Sequence, residues 1–181
     1  GRLEIARQDT MVTNPATDIS GGYFLEPEGN TASDGLYFMS KQGCHIRIHD
    51  PKPKVINPRQ LNYIKAYINK FESALYGDEF AHAKRGYRQY TDTTSLIDWY
   101  LVQEISANPD GFWCSYIYKE RADERLYFGP IWDFDICWNN CSRMGDVSKR
   151  LAIQFGYGSN YTIKGWYTRM WEDPTPSIVI D

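Results

Sequence analysis

The chain has 181 residues, 42% of them hydrophobic, with 14 Tyr, 8 Phe and 6 Trp. Aromatics in such number exclude a disordered chain, and the length suits one domain with a substantial core. A net charge of −3 without a Lys/Arg run excludes a nucleic-acid footprint, and no stretch approaches the ~18 consecutive apolar residues of a membrane span.

Residues 1–20 read as a strand end (Leu3, Ile5) followed by a polar loop. Gly21 to Glu26 is a predicted strand, and Leu36 to Met39 and His45 to Ile48 are two more, expected to form a small meander. A helix is predicted over 57–76. Asn57 caps it, Pro58 is pre-set for its first turn, and Leu61, Ile64, Ile68, Phe71 and Leu75 share one face. Gly77 supplies a left-handed stop, and Lys65 and Lys70 read as solvated charge. A second helix, Asp92 to Ser106, is apolar on nearly every side and is expected at the centre of the domain. Asn108-Pro109-Asp110-Gly111 ends it, because the residue before proline is driven out of helical geometry. Strand-like runs then follow at Phe112 to Lys119 and Arg125 to Ile131, with a turn over 120–124. Beyond Trp138 the chain is rich in Gly, Asn and Ser, and the apolar tail after Pro174 reads as the start of another element. No repeat is present.

The two last strands make a functional prediction. Facing positions in an antiparallel hairpin share a constant index sum, and that sum for Asp110 and Asp133 centres the pair on the 120–124 turn. Both carboxylates should meet at the open end, where facing Cβ atoms lie ~4.5–5.5 Å apart. Two carboxylates that close repel, so one takes a proton or a cation sits between them. Asp135, Asn139 and Asn140 add oxygen ligands in the same loop, the donor set of Mg²⁺. The bland alternative is that these aspartates only cap turns.

At Asn108-Pro109-Asp110-Gly111 and Gly129-Pro130-Ile131-Trp132-Asp133-Phe134-Asp135 the chain resembles the CotH (spore coat protein H) family of atypical, secretion-associated protein kinases. The likeness includes Gly21-Gly22-Tyr23-Phe24-Leu25-Glu26, similar to the family's Gly-Gly-Tyr-Leu-Leu-Glu strand. It continues through Tyr87 to Asp92, the helix Ser95 to Glu104, and Trp166-Tyr167-Thr168-Arg169. The resemblance implies an α+β, protein-kinase-like C-terminal lobe with helices around a central hairpin and small peripheral strands. It implies transfer of the ATP γ-phosphoryl group to serine of secreted or surface proteins, using Mg²⁺ or Mn²⁺, at an extracellular or cell-surface location. Asp110 matches the catalytic-loop aspartate that orients the acceptor hydroxyl, and Asp133 the metal-binding aspartate, with Asp135 beside it. Trp132 and Trp138 flank the acidic loop and are expected to contact ligand, Trp132 being assigned to the nucleotide.

A kinase also needs a lobe over the phosphates and a lysine to pair them. No Gly-rich phosphate loop and no strand lysine precede Gly21, and the family's last helices are missing after Asp173. The expected organisation is therefore one domain cut from a longer kinase and inactive alone: 1–20 a linker or strand end, 21–173 the lobe, 174–181 a truncated tail.

His45, His49 and Cys44 lack the paired spacing of a zinc site, and Gly156-Tyr157-Gly158-Ser159 reads as a turn. Trp113, Trp132, Trp138, Tyr161, Trp166 and Trp171 are the residues of a rival reading, a non-catalytic adhesion or carbohydrate-binding module, although core positions are their commoner use. Cys44, Cys114, Cys137 and Cys141 are expected as buried thiols, with a Cys137–Cys141 or long-range bridge as the alternative in a secreted protein.

Overall fold

The computed structural model describes residues 18–28, 35–155 and 163–174. The strand end predicted at Leu3 and Ile5, the Gly156 to Ser159 turn, Tyr161 and the 175–181 tail lie outside them. Strands β1 (Tyr23–Glu28), β2 (Leu36–Met39), β3 (His45–Asp50), β4 (Ile117–Lys119) and β5 (Leu126–Phe128) form one antiparallel sheet in the order β2-β3-β1-β4-β5. Four helices accompany it: α1 (Pro58–Leu75), α2 (Thr93–Ser106), the one-turn α3 (Ala152–Phe155) and α4 (Ile163–Trp171). The fold is thus a mixed helix and strand fold, consistent with α+β.

The first three strands are not a meander, because β1 pairs with β3 rather than with β2. Nor is the β4–β5 hairpin central. It occupies one edge and joins the rest through β4 against β1, so the strands expected at the periphery belong to the same sheet. The alternation of β1 explains its burial. Tyr23 and Leu25 are fully buried on the helical side, while Phe24, Glu26 and Glu28 point the other way.

Helix α1 starts as its sequence dictates. Asn57 accepts from the Gln60 amide while the Gln60 side chain accepts from the Asn57 amide, a reciprocal cap. Its end differs from expectation: Tyr76 closes the helix and Gly77 does not take a left-handed conformation. Glycine is needed there for space, since a Cβ would lie 2.9 Å from the Ser73 carbonyl oxygen. The buried face of α1 (Ile64, Ile68, Phe71, Leu75) shares one core with Tyr23, Leu25, Ile46 and Ile48 of the sheet. Trp99 of α2 stacks on Tyr167 of α4 at 4.1 Å in the same core. Yet α2 is not enclosed. Ile105 is 69% exposed, because α2 is covered on the side of Leu96, Trp99 and Gln103 only.

Candidate active site

Helix α2 positions the first candidate aspartate. Asp92 caps its N-terminus through the Ser95 amide, and Ala107 ends it in a left-handed conformation. Asn108 follows, its amide donating to the Gln103 carbonyl at 2.9 Å, and Pro109 turns the chain into a 3-10 turn over Asp110–Phe112. The amides of Trp113 and Cys114 both donate to the Asp110 carbonyl at 2.9 Å. Ser115 ties the turn to the core, donating to the Gly111 carbonyl at 2.8 Å while accepting from the Trp99 indole at 3.1 Å. A Cβ at Gly111 would lie 2.3 Å from Oε1 of the buried Gln103, so any other residue here must displace that side chain.

The second candidate segment leaves β5 through Gly129, whose amide donates to the Tyr116 carbonyl at 2.8 Å. There the ladder stops. Strands predicted over 112–119 and 125–131 are three residues each, and the observed register puts Phe112 rather than Asp110 at the extrapolated position opposite Asp133. Pro130 has no amide hydrogen to continue the pairing, and the 3-10 turn has already taken the backbone of Asp110 to Phe112.

The two segments are joined by a different device. Asn108 is fully buried; its Oδ1 accepts from the Asp110 amide at 3.1 Å, and its Nδ2 donates to the Asp133 carbonyl at 3.2 Å. One side-chain amide therefore holds both segments. The acidic loop is fastened again where the Trp138 amide donates to the Ser106 carbonyl at 2.8 Å and Asn140 Nδ2 to the Asp135 carbonyl at 2.6 Å. Asp133, Trp138 and Asn139 all have positive φ, so backbone strain is concentrated in this loop.

The electrostatics show which groups converge. Burial raises the Asp133 carboxyl above its ordinary value, and the hydrogen bond with Asp135, the charge of Asp135 and the charge of Asp110 all push it the same way. Burial also raises the Cys137 thiol, against a hydrogen bond with Ser106; the charges of Asp135, Asp110 and Asp133 all add to the rise. Asp135 and Asp110 thus act on Asp133, and all three on Cys137, and the influences on Asp133 share one sign. Among the described residues the three do not bring their ligand atoms into one compact group, so a hard divalent cation here would draw first on the hydrogen-bonded pair Asp133 and Asp135.

Beside the loop runs an aromatic path on the outer face of the sheet. Trp132, 37% exposed, packs on Tyr116 at 5.0 Å, and Tyr116 on Phe24 at 4.7 Å and His49 at 5.4 Å. Burial pushes the Tyr116 hydroxyl up to about 12, with the charges of Glu26 and Asp133 adding from opposite ends. Of the other aromatics, Trp166 is core, while Trp138 and Trp171 are exposed.

Sequence reasoning missed a second acidic group on this face. Single ligand atoms of Glu26, Glu28 and Cys114 lie within 4.8 Å of one another, and both carboxylates are buried. They are already satisfied: His49 meets Glu26 at 2.5 Å, Arg47 reaches Glu28 at 3.2 Å and Glu26 at 3.7 Å, and the Cys114 thiol donates to Glu26 at 2.8 Å. The alternation of the Gly-Gly-Tyr strand puts Glu26 and Glu28 on one face, the signal available in the sequence; the pairing of β1 with β3 sets Glu26 opposite Arg47. His45 and His49 form no zinc cluster with Cys44 among the described residues. All four cysteines are free thiols, three of them buried.

Residues 11–176 match the family described as CotH kinase protein, and the chain belongs to that family. No curated protein and no solved structure matches it significantly.

Proposed function

We propose that this member of the CotH kinase family is the catalytic-lobe portion of a longer phosphotransferase that moves the γ-phosphoryl group of ATP to serine in secreted or surface proteins. The observation that supports the reading is the Asp133–Asp135 pair, raised further by the charge of Asp110, on two segments joined by one buried amide. Phosphoryl transfer needs positioning and charge neutralisation more than covalent chemistry. Asp133 and Asp135 would hold Mg²⁺ or Mn²⁺, whose charge would neutralise the phosphate oxygens. Asp110, on a separate turn tied to the core, accepts the proton of the acceptor hydroxyl and orients it. Trp132, exposed and backed by Tyr116, offers a π face for the base of the nucleotide. A cation also explains why the chain maintains a carboxyl raised by its neighbours in a strained loop.

The test is a titration of Mn²⁺, with and without ATP, followed by its paramagnetic signal. Asp133→Asn should weaken binding by roughly tenfold or more, as loss of a metal ligand or its support does. Unchanged binding in both Asp133→Asn and Asp135→Asn sinks the cation site. In the full-length protein Asp133→Asn should abolish autophosphorylation.

The second reading, a glycan-binding module, draws on the exposed Trp132 and Trp138 at the rim of the acidic loop. Sugar binding that survives substitution of both Asp110 and Asp133 would favour it. Among the described residues no helix is long and apolar enough to cross a membrane.

A further inference from the structure

The outward face of α1 carries a groove that the acidic loop does not share. Its volume is about 560 Å³, and its lining comes from three segments: Lys41 of the β2–β3 turn; Asn69, Lys70 and Ser73 of α1, floored by Ala66 and Ala74; and Arg85, Gln89 and Tyr90 beyond the helix. Three lining residues are cationic and none is acidic, in a chain whose net charge is −3.

The walls are fixed. The Lys41 amide donates to Asn69 Oδ1 at 2.9 Å, and on either side of it Ser40 Oγ and the Gln42 amide donate to the buried Glu72 carboxylate at 2.7 and 3.2 Å. The turn is therefore bolted to α1 at three successive residues. On the opposite wall Arg85 is held by Glu79 through two hydrogen bonds. Lys41 and Lys70 form no ion pair among the described residues, whereas most arginines of the chain do. Two uncompensated ammonium groups on a rigid concave surface attract negative charge, and the small floor leaves room for an extended backbone.

We infer that this groove is a docking site for an acidic, carboxylate-rich polypeptide segment. Such a segment is repelled by the aspartates of the acidic loop, so the groove gives an acidic partner a place to bind away from them. The inference goes beyond the phosphotransferase reading and does not depend on it, since neither nucleotide nor cation enters.

The experiment measures fluorescence anisotropy of three labelled decapeptides in a chelating buffer: one rich in Glu and Asp, its Gln/Asn counterpart, and one rich in Lys. The acidic peptide should bind in preference to both others. The double variant Lys41→Glu/Lys70→Glu should weaken it roughly tenfold or more, the order expected when two attractive charges become repulsive. Lys65→Glu, the same change on an exposed α1 residue outside the groove, should cost less than about twofold, in keeping with a screened surface charge. Should the double variant melt early, Lys70→Gln keeps the test alive with an intermediate loss. Equal binding of the neutral peptide, or equal losses with Lys65→Glu, would overturn the proposal. Binding that is absent in the chelating buffer, returns when Mn²⁺ is added in excess of the chelator and disappears in Asp133→Asn would move the acidic segment to the aspartate loop and overturn it too. Failure of the Mn²⁺ titration alone leaves this result untouched.

Discussion

Two acidic groups, one on the outer face of the sheet and one in the turn and loop that follow α2 and β5, are in opposite electrostatic states. Around Glu26 and Glu28, Arg47, His49 and the Cys114 thiol meet the carboxylates directly. Burial raises the Glu26 carboxyl, but the hydrogen bonds of His49 and Cys114 outweigh it and hold the group below its ordinary range. Around Asp133 burial acts in the same direction, and Asp135 and Asp110 reinforce it instead of opposing it. A carboxylate met by cations and donors is a structural joint; one raised by neighbouring carboxylates is suited to a cation from outside. Residue type alone does not separate the two, but the sign of the neighbours does.

The largest effect should come from removing the partner of the satisfied cluster. Arg47→Met leaves two buried carboxylates facing each other and should cost about 3 kcal/mol, somewhat tempered by the partial exposure of Arg47. Urea denaturation measures it, and a loss below 1 kcal/mol, the scale of an exposed pair, would mean that the joint is not structural. Next comes the amide that organises the unsatisfied cluster. Asn108→Ala strands the Asp110 amide and the Asp133 carbonyl, and should cost roughly 2 kcal/mol for the two lost hydrogen bonds. It should also lower Mn²⁺ affinity although Asn108 is not itself proposed as a ligand. Stability lost with affinity intact would reduce Asn108 to scaffolding.

The smallest effect has the opposite sign. A carboxyl whose folded pKa is raised contributes stability below its unfolded pKa and loses it as pH rises through the folded value. Ionised Asp133 therefore weighs against the fold at neutral pH without a cation, and Asp133→Asn should leave the metal-free protein as stable or slightly more so. For Glu26, held low, stability is present above its unfolded pKa and is lost only as pH falls through the folded value. Thermal melts between roughly pH 7 and pH 3 should show these slopes opposed, with Asp133→Asn removing the first and Glu26→Gln the second. Parallel slopes would erase the distinction between the clusters.

What the sequence made legible follows from the range of the interactions. The start of α1 was readable because Asn57, Pro58 and the apolar stripe act within a few residues of one another, and the Asp92 cap of α2 likewise. Strand order was not, since the placement of β1 beside β3 is decided by contacts far apart in sequence. The two aspartate-bearing segments are joined, but not by the ladder that the spacing suggests. A long ladder was expected, whereas the hairpin ends at Tyr116 and Gly129 and a buried amide spans the remaining distance. Burial of α2 was over-read for a related cause: an apolar surface states what a helix tolerates, and only packing decides which side is covered. The Arg47 and His49 partners of Glu26 escaped notice because strand alternation shows which face a residue occupies but not which strand lies next to it.

The clamp at Asn108 bears on chemical durability. An asparagine that supplies both a donor and an acceptor cannot age into aspartate without harm: the donor to the Asp133 carbonyl would become a negatively charged acceptor, and the joint would open. Deamidation of asparagine usually proceeds by attack of the next residue's backbone N–H nitrogen on the side-chain amide. Here the next residue is Pro109, which has no N–H to offer. The proline that turns the chain after α2 thus also protects the amide that joins the acidic loop to α2's end, and any replacement of Pro109 should be read for slow loss of function on storage as well as for its effect on the turn.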